Sequence, residues 1–266
     1  MTICAYCKLD RPSTREHVVP NFLYAFQKKL EASIIGWNEV AQRMVGGEGK
    51  VKDVCAECNN GVLSDLDGYG KKLLSESGLL VHNYVKMSIT LRYDYELLLR
   101  WLLKISFNSS RTDGAHSHLF EKYVRFILGK SPAPPRHRLA CLAYLAAPER
   151  LGESNIRQKP FLRITQGSKF LNPFLVRICY GGVSGEHSYT LRLNIFGPVV
   201  FHLMLFNEST LPGHSATAIR RLLKLSPGAL EIDRKHRLLQ LQAGERSWLS
   251  LYEHQVNRIR ALAGDG

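Results

Sequence analysis

The amino-acid sequence predicts an α+β fold in which a small N-terminal unit precedes a larger region of helices and antiparallel strands. Two Cys-x-x-Cys pairs, at 4–7 and 55–58, enclose the first unit. Segments with apolar residues at helical spacing follow, and then runs rich in β-branched and aromatic residues. With 266 residues, of which 45% are hydrophobic, the chain can form one large domain or two smaller ones. We place a loosely held boundary near 75–90 and predict domains over 1–80 and 81–266.

The N-terminal unit is expected to contain two helices and a strand. Pro20 ends an extended segment, and residues 21–30 then place their apolar side chains at helical spacing. A glycine-rich turn over 46–49 precedes a strand over 50–54. The second helix begins near Asn59, a residue type that suits a helix start.

The C-terminal region is expected to pass from helices through strands and back to helices. The stretch 76–130 favours helices, among them a buried one over 95–104. Gly197 and Pro198 separate two strand-like runs, which indicates a hairpin. From 215 onward the pattern favours helices again. The predicted strands cover 161–164, 174–178, 189–195 and 199–205, and the predicted last helices cover 216–225 and 247–262.

Cysteine spacing predicts a structural zinc site. Four of the six cysteines form two pairs, Cys4 with Cys7 and Cys55 with Cys58. Two such pairs supply the four thiolates of a tetrahedral Zn²⁺ ion. Because a site filled by four cysteines has no open position for a substrate, the zinc would hold the fold and the chemistry would come from other residues. The remaining two, Cys141 and Cys179, lie in apolar runs and are expected to be small core residues.

The segment Arg15-Glu16-His17-Val18, between the two cysteine pairs, carries the residues suited to catalysis. Phosphodiester hydrolysis needs a base that deprotonates water and a cation that neutralises charge. Neutral His17 can be that base, while Glu16 and Asn59 offer the carboxylate and amide oxygens that suit Mg²⁺. Neighbouring side chains of a regular strand point to opposite faces. Glu16 and His17 can therefore serve one phosphate only if the backbone bends there, or if the phosphate wraps the strand end.

These motifs, in this order, resemble those of the HNH endonucleases. Cys-x-x-Cys, then acid-His-Val-Val-Pro, then Val-Cys-x-x-Cys-Asn is similar to the zinc-stabilised ββα-metal branch with a treble-clef core, which includes phage Holliday-junction-resolving nucleases. The resemblance covers roughly residues 3–70. It implies that the four paired cysteines bind Zn²⁺, that His17 is the general base, and that Glu16 and Asn59 hold one Mg²⁺ or Mn²⁺ ion. It also implies products with 5′-phosphate and 3′-hydroxyl ends.

The chain departs from the family pattern at two positions. The acid is more commonly Asp, and Glu16 is longer by one methylene group. Asn replaces the third residue of the name motif, a histidine, as in the junction-resolving branch. Asn60 competes with Asn59 for the ligand position, and we favour Asn59 because it follows the last cysteine directly. Asp65 and Asp67 could orient the site or lie on a solvated helix face.

The formal net charge of +13 indicates an anionic partner, for which we predict DNA, with RNA as the alternative. Residues 1–75 carry ten Lys or Arg against nine Asp or Glu, or +1, and residues 76–266 carry 26 against 14, or +12. We therefore expect the C-terminal region to grip the nucleic acid that the N-terminal unit cuts. A solvated basic surface without a partner is the alternative. The candidate contacts are Arg15, Lys50, Lys52, Arg220, Arg221, Lys224, Arg234, Lys235 and Arg237.

The sequence predicts a cytoplasmic protein with no membrane partner. No stretch of about 18 apolar residues lacks a charge, and the N-terminus has neither the basic nor the apolar region of a secretory signal. The C-terminal domain could also bind a protein partner or a second copy of the chain.

The main hypothesis is a metal-dependent DNA endonuclease with an N-terminal catalytic unit. One alternative is a non-catalytic zinc module that only binds nucleic acid, which predicts salt-sensitive binding without cleavage. Another is a toxin or defence effector, for example in phage defence, whose nuclease is regulated by the C-terminal domain. That last alternative rests on analogy between folds alone.

Overall fold

A computed structural model describes residues 2–29, 35–38, 43–81, 84–113, 116–149, 176–247 and 250. It is a mixed helix and sheet structure, which confirms the predicted α+β class. The strands are β1 (Thr2–Ile3), β2 (Asp10–Arg11), β3 (Ser13–His17), β4 (Ile35–Asn38), β5 (Arg43–Gly46), β6 (Lys50–Cys55), β7 (Ser88–Arg92), β8 (Leu139–Ala147), β9 (Val176–Gly181), β10 (Tyr189–Phe196), β11 (Val199–Phe206), β12 (Leu230–Glu231) and β13 (Leu238–Ser247). The helices are α1 (Asn21–Lys29), α2 (Ala56–Cys58), α3 (Ser64–Glu76), α4 (Tyr95–Asp113), α5 (His118–Glu121), α6 (Val124–Ile127) and α7 (Pro212–Leu225).

The N-terminal part is built on the antiparallel pair of β3 and β6, in which His17 lies opposite Lys50. A helical segment follows β6 at once, because α2 leads through Asn59–Leu63, which is kinked at the non-helical Gly61, into α3. The segment therefore starts three residues before the predicted start at Asn59. Leu63 and Leu66 are fully buried, as their helical spacing predicts.

The C-terminal part is built on a seven-stranded sheet with the order β7-β13-β8-β11-β10-β9, and β12 pairs with β8. All neighbouring pairs are antiparallel except β13 with β8, which is parallel. The predicted hairpin is confirmed, since β10 and β11 pair along their full length. Gly197, in its turn, has a φ of 59°, in the left-handed region that favours glycine.

Two layers of helix cover the two faces of this sheet. The Trp101 ring of α4 stacks on Phe196 of β10, with ring centroids 4.9 Å apart. On the opposite face, Ile219 and Leu222 of α7 pack in one cluster with Met204 of β11. Side chains alternate between the faces of a strand, so α4 and α7 lie on opposite sides of the sheet.

One continuous core joins the two predicted domains. A single cluster of buried apolar side chains extends from Cys4 and Tyr6 through Trp101 to Leu241. Helix α4 is central to it, because its side chains contact both the N-terminal part and the sheet. The phenol of Tyr6 donates a hydrogen bond of 2.6 Å to Asn108 Oδ1, and its ring packs edge-on against Phe107. The boundary between 1–80 and 81–266 remains a prediction.

Gly70 allows α3 to approach α4 closely, because a Cβ atom there would overlap the indole of Trp101. Gly70→Ala is expected to lower the free energy of unfolding by about 1–3 kcal/mol, since the buried indole must move. Urea unfolding measures this difference. Gly68 is the matched control on the same helix, because a Cβ atom there meets nothing within 4 Å. Gly68→Ala should leave stability unchanged or raise it by up to about 1 kcal/mol, and an equal loss in both variants would contradict the packing argument.

The sequence prediction was wrong in two segments. Ser88–Arg92 is a strand although 76–130 was predicted helical, and its alternation of exposed and buried residues is typical of a half-buried strand. The stretch after 225 contains β12 and β13 rather than helix alone, because Leu239 and Leu241 alternate with glutamines. The predicted strand at 161–164 lies outside the described residues, as do the first two residues of the strand predicted at 174–178 and most of the predicted helix 247–262. Within the described residues, no helix combines the length and the apolar character needed to cross a membrane.

Candidate metal centre and catalytic site

Four cysteine side chains meet at one point of the N-terminal part. The Sγ atoms of Cys4, Cys7, Cys55 and Cys58 all lie within 4.8 Å of one another, and Cys7 Sγ is 3.7 Å from Cys55 Sγ. Four thiolates at about 2.3 Å from a tetrahedral zinc ion lie about 3.8 Å apart, so the Cys7–Cys55 distance fits this ion and the whole quartet is close enough to hold a metal ion. These cysteines could therefore hold a metal ion, as their pairing predicts.

Backbone hydrogen bonds bring the two halves of the quartet together. The N–H of Ala5 donates to the carbonyl oxygen of Asp53 at 2.8 Å, and the N–H of Cys55 donates to Cys4 Sγ at 3.4 Å. Burial alone would raise the pKa of the Cys4 thiol, but backbone N–H groups, foremost that of Cys55, lower this pKa to about 7. They favour the thiolate, which is the form that binds metal.

Glu16 lies inside the protein, where it pairs with a buried lysine. Its side chain is only 6% exposed, and its Oε1 atom lies 2.6 Å from Lys104 Nζ of α4. Lys104 is fully buried and also lies 2.7 Å from Asp67 Oδ2 of α3. Burial raises the pKa of Asp67, although the Lys104 ammonium opposes this shift. One ammonium group is thus shared by the buried carboxylate of Glu16 and the partly buried carboxylate of Asp67.

Asn108, also on α4, ties strand β3 to the C-terminal part. Its Nδ2 atom donates to Glu16 Oε1 at 3.2 Å and to the carbonyl oxygen of His17 at 3.0 Å. Its Oδ1 atom accepts hydrogen bonds from Tyr6 and from Arg111. A single amide side chain therefore positions two consecutive residues of β3.

The irregularity in β3 does not bring Glu16 and His17 to one side. The register of the pair β3–β6 shifts between Thr14 and Glu16, which is the kind of bend that a shared phosphate site requires. Glu16 nevertheless points into the core, whereas the His17 side chain is 22% exposed. His17 alone reaches the surface.

This placement bears on the predicted Mg²⁺ site. Glu16 suits a metal only if it leaves Lys104, since its carboxylate already neutralises a buried ammonium. Asn59 Nδ2 donates to Thr14 Oγ1 at 2.8 Å and to the carbonyl oxygen of Arg15 at 3.3 Å, so its amide oxygen is the atom that suits a cation. The roles of Glu16 and Asn59 as Mg²⁺ ligands stay predictions.

His17 has an acidic partner on the loop before β6. His17 Nε2 lies 3.0 Å from Glu48 Oε2, and the imidazole also lies beside the ring of Tyr24. Hydrogen bonds from Lys28 first, and then from His17 and Lys50, lower the pKa of Glu48 to about 2. The Glu48 carboxylate is therefore ionised at neutral pH and only accepts hydrogen bonds.

The predicted nucleic-acid contacts fall into separate places. Arg15, Lys50 and Lys52 are exposed on the strand pair that carries His17. A second group belongs to α7, on the far side of the seven-stranded sheet, and consists of Arg220, Arg221 and Lys224. A third group lies just before β13 and consists of Arg234, Lys235 and Arg237. The first group is the one beside His17.

Sequence reasoning missed three residues of this site: Glu48, Lys104 and Asn108. Lys104 had a recognisable pattern, because it directly follows the apolar run 101–103 of α4 and a lysine buried there needs a partner. Glu48 lies in a glycine-rich turn, and Asn108 lies 91 residues from His17, so no local pattern indicated either one. Among the open alternatives, Asn60 and Asp65 are exposed, whereas Asp67 contacts Lys104.

Comparison of the chain with protein-family models, with curated proteins and with solved structures finds no match in any of the three.

Proposed function

We propose that the protein is an HNH-type endonuclease that hydrolyses phosphodiester bonds of DNA, with His17 as the general base. The observation that carries the proposal is the position of His17. His17 is partly exposed at one end of the β3–β6 pair, and strand β6 leads directly into a helix at the other end. Its ring is hydrogen-bonded to an ionised carboxylate. This arrangement accompanies a cysteine quartet with zinc spacing. Together they match the order of motifs that resembles the HNH endonucleases.

Proton transfer is the task of His17 in this proposal. The neutral imidazole takes a proton from a water molecule as the water oxygen bonds to phosphorus and the bond from phosphorus to the 3′ oxygen breaks. The leaving oxygen takes a proton from solvent, and the imidazolium then returns its proton to solvent. Arg15, Lys50 and Lys52, beside His17, are suited to hold the phosphate backbone. The dependence of cleavage on Mg²⁺ or Mn²⁺ is a separate prediction. It does not follow from the position of His17, because the predicted metal ligand Glu16 pairs with Lys104.

His17→Ala tests the proposal. Cleavage of duplex, branched and single-stranded DNA, and of RNA, should be measured with Mg²⁺, with Mn²⁺ and with EDTA. Loss of the general base is expected to lower the cleavage rate by about 10²–10⁴-fold. Zinc content and thermal unfolding should stay the same, because His17 is partly exposed and is not one of the four cysteines.

His214→Ala is the matched control, since His214 is exposed on α7 and lies outside the proposed site. It should cleave like the unmodified protein. Undiminished cleavage by His17→Ala would refute the mechanism. Salt-sensitive binding without cleavage under any metal condition would favour the non-catalytic zinc module instead.

A further inference from the structure

Glu48 is an acidic hydrogen-bond partner of the His17 ring. Its Oε2 atom lies 3.0 Å from His17 Nε2, and its side chain is only 17% exposed. We propose that Glu48 is a positioning residue, which holds the proton of His17 on Nε2 and leaves Nδ1 as the base that takes the proton from water. The inference deepens the proposed nuclease function and rests on it.

Three further contacts hold Glu48 in place. Lys28 of α1 donates to Glu48 Oε1 at 2.8 Å, and Lys50 of β6 lies 3.1 Å from Oε2. The hydroxyl of Tyr24, one turn before Lys28 on α1, accepts a hydrogen bond of 3.1 Å from the N–H of Gly49. Helix α1 therefore fixes both the carboxylate and the backbone that carries it.

The chemistry of the two side chains decides where the proton lies. An ionised carboxylate has no hydrogen to donate, so the hydrogen between Glu48 and His17 belongs to Nε2. In a neutral imidazole the other nitrogen, Nδ1, then carries the lone pair. When Nδ1 takes a proton from the attacking water, the positive charge that forms on the ring is stabilised by the carboxylate at Nε2. In serine proteases, a buried aspartate likewise accepts a hydrogen bond from one ring nitrogen of the catalytic histidine and leaves the other nitrogen as the base.

A tether role for Glu48 makes a different prediction. The same carboxylate could merely join α1 to β6 through Lys28 and Lys50. A glutamine at position 48 loses the charge that attracts the two lysines and the charge that stabilises the imidazolium, and its amide can either accept from Nε2 or donate to it. A mere tether leaves the His17 proton on Nε2 when Glu48 is replaced by alanine, whereas a positioning residue does not, so the position of the ring proton separates the two roles.

The experiment compares the full-length protein with Glu48→Ala and Glu48→Gln. We expect Glu48→Ala to lower kcat by about 100-fold with KM changed by less than about twofold, and Glu48→Gln to lower kcat as well, since an amide lacks the charge that stabilises the imidazolium. The nitrogen chemical shifts of the His17 ring, measured by NMR, should place the proton on Nε2 in the unmodified protein. In Glu48→Ala the proton should be divided between the two nitrogens. Glu76→Ala is the control, because Glu76 is an exposed, ion-paired glutamate of α3.

The outcomes separate this inference from the proposed function. No loss of kcat in Glu48→Ala, a ring proton that stays on Nε2 in Glu48→Ala, or a proton on Nδ1 in the unmodified protein would overturn the positioning role while leaving a nuclease. An unmodified protein that cleaves nothing would refute the proposed function. The ring shifts of the same samples would still support or overturn the control of the His17 proton by Glu48.

Discussion

Removing the metal ion from the cysteine quartet is expected to unfold the N-terminal part of the protein. The four Sγ atoms lie within 4.8 Å of one another, so a bound ion would join Cys4 and Cys7 to the end of β6. A structural zinc site contributes on the order of 10 kcal/mol to a small domain, which is comparable to the whole stability of a typical domain. Without metal, the four thiols would be left as a poorly packed cluster that no longer holds β6 against residues 4–7.

Metal analysis and hydrogen exchange check this expectation. The purified protein should contain about one zinc ion per chain, and a strong chelator should abolish the protection of the backbone amides in β3 and β6. Cys55→Ser should reproduce the effect. Cys141 is the matched control, because it is a buried cysteine of β8 away from the quartet, and Cys141→Ala should keep the metal. Unchanged protection after complete removal of zinc would contradict a structural role.

Replacing Lys104 with methionine is expected to destabilise the protein by about 3–5 kcal/mol. The change removes the ammonium that lies 2.6 Å from Glu16 and 2.7 Å from Asp67, and leaves the buried carboxylate of Glu16 and the partly buried carboxylate of Asp67 without a cation. Desolvated carboxylates without a cation are costly, even where methionine matches the lysine in volume. Because Glu16 belongs to β3, the loss of stability should affect β3 as well as α4.

Denaturant unfolding measures the effect of Lys104→Met. The control is Lys72→Met, which removes an exposed lysine 3.9 Å from Glu76 and should change the unfolding free energy by less than about 0.5 kcal/mol. A triple variant that replaces Lys104, Glu16 and Asp67 with apolar residues should recover much of the loss, since the whole charged cluster is then removed. Similar unfolding of Lys104→Met and the unmodified protein would show that the two carboxylates do not depend on this lysine.

The features that the sequence predicted correctly depend on the spacing of residues close together in the chain. Paired cysteines two residues apart indicated the quartet, and the Gly197-Pro198 break indicated the β10–β11 hairpin. Asn59, at the start of the kinked helical segment, lies beside β3, where it donates a hydrogen bond to Thr14. Such features are fixed by a few neighbouring residues, so a single sequence carries enough information to place them.

The burial of Glu16 could not be predicted in this way. Its partners Lys104 and Asn108 follow it by about ninety residues, and only the packing of α4 against the N-terminal part brings them together. The strand β13 was misjudged for a related reason, because its pairing with β7 and β8 depends on contacts more than 90 residues away. Local propensity gives way to packing in both cases.

The hydrogen bonds from Asn108 to Glu16 and to the carbonyl of His17 also set an order of assembly during protein synthesis. The ribosome makes Glu16 92 residues before it makes Asn108. At about 5–20 residues per second, the first strands wait roughly 5–20 s for α4. Until then Glu16 has neither its ammonium nor its amide partner, and the carbonyl oxygen of His17 lacks its hydrogen bond from Asn108. An incomplete chain released before α4 therefore lacks the partners that satisfy the buried carboxylate of Glu16.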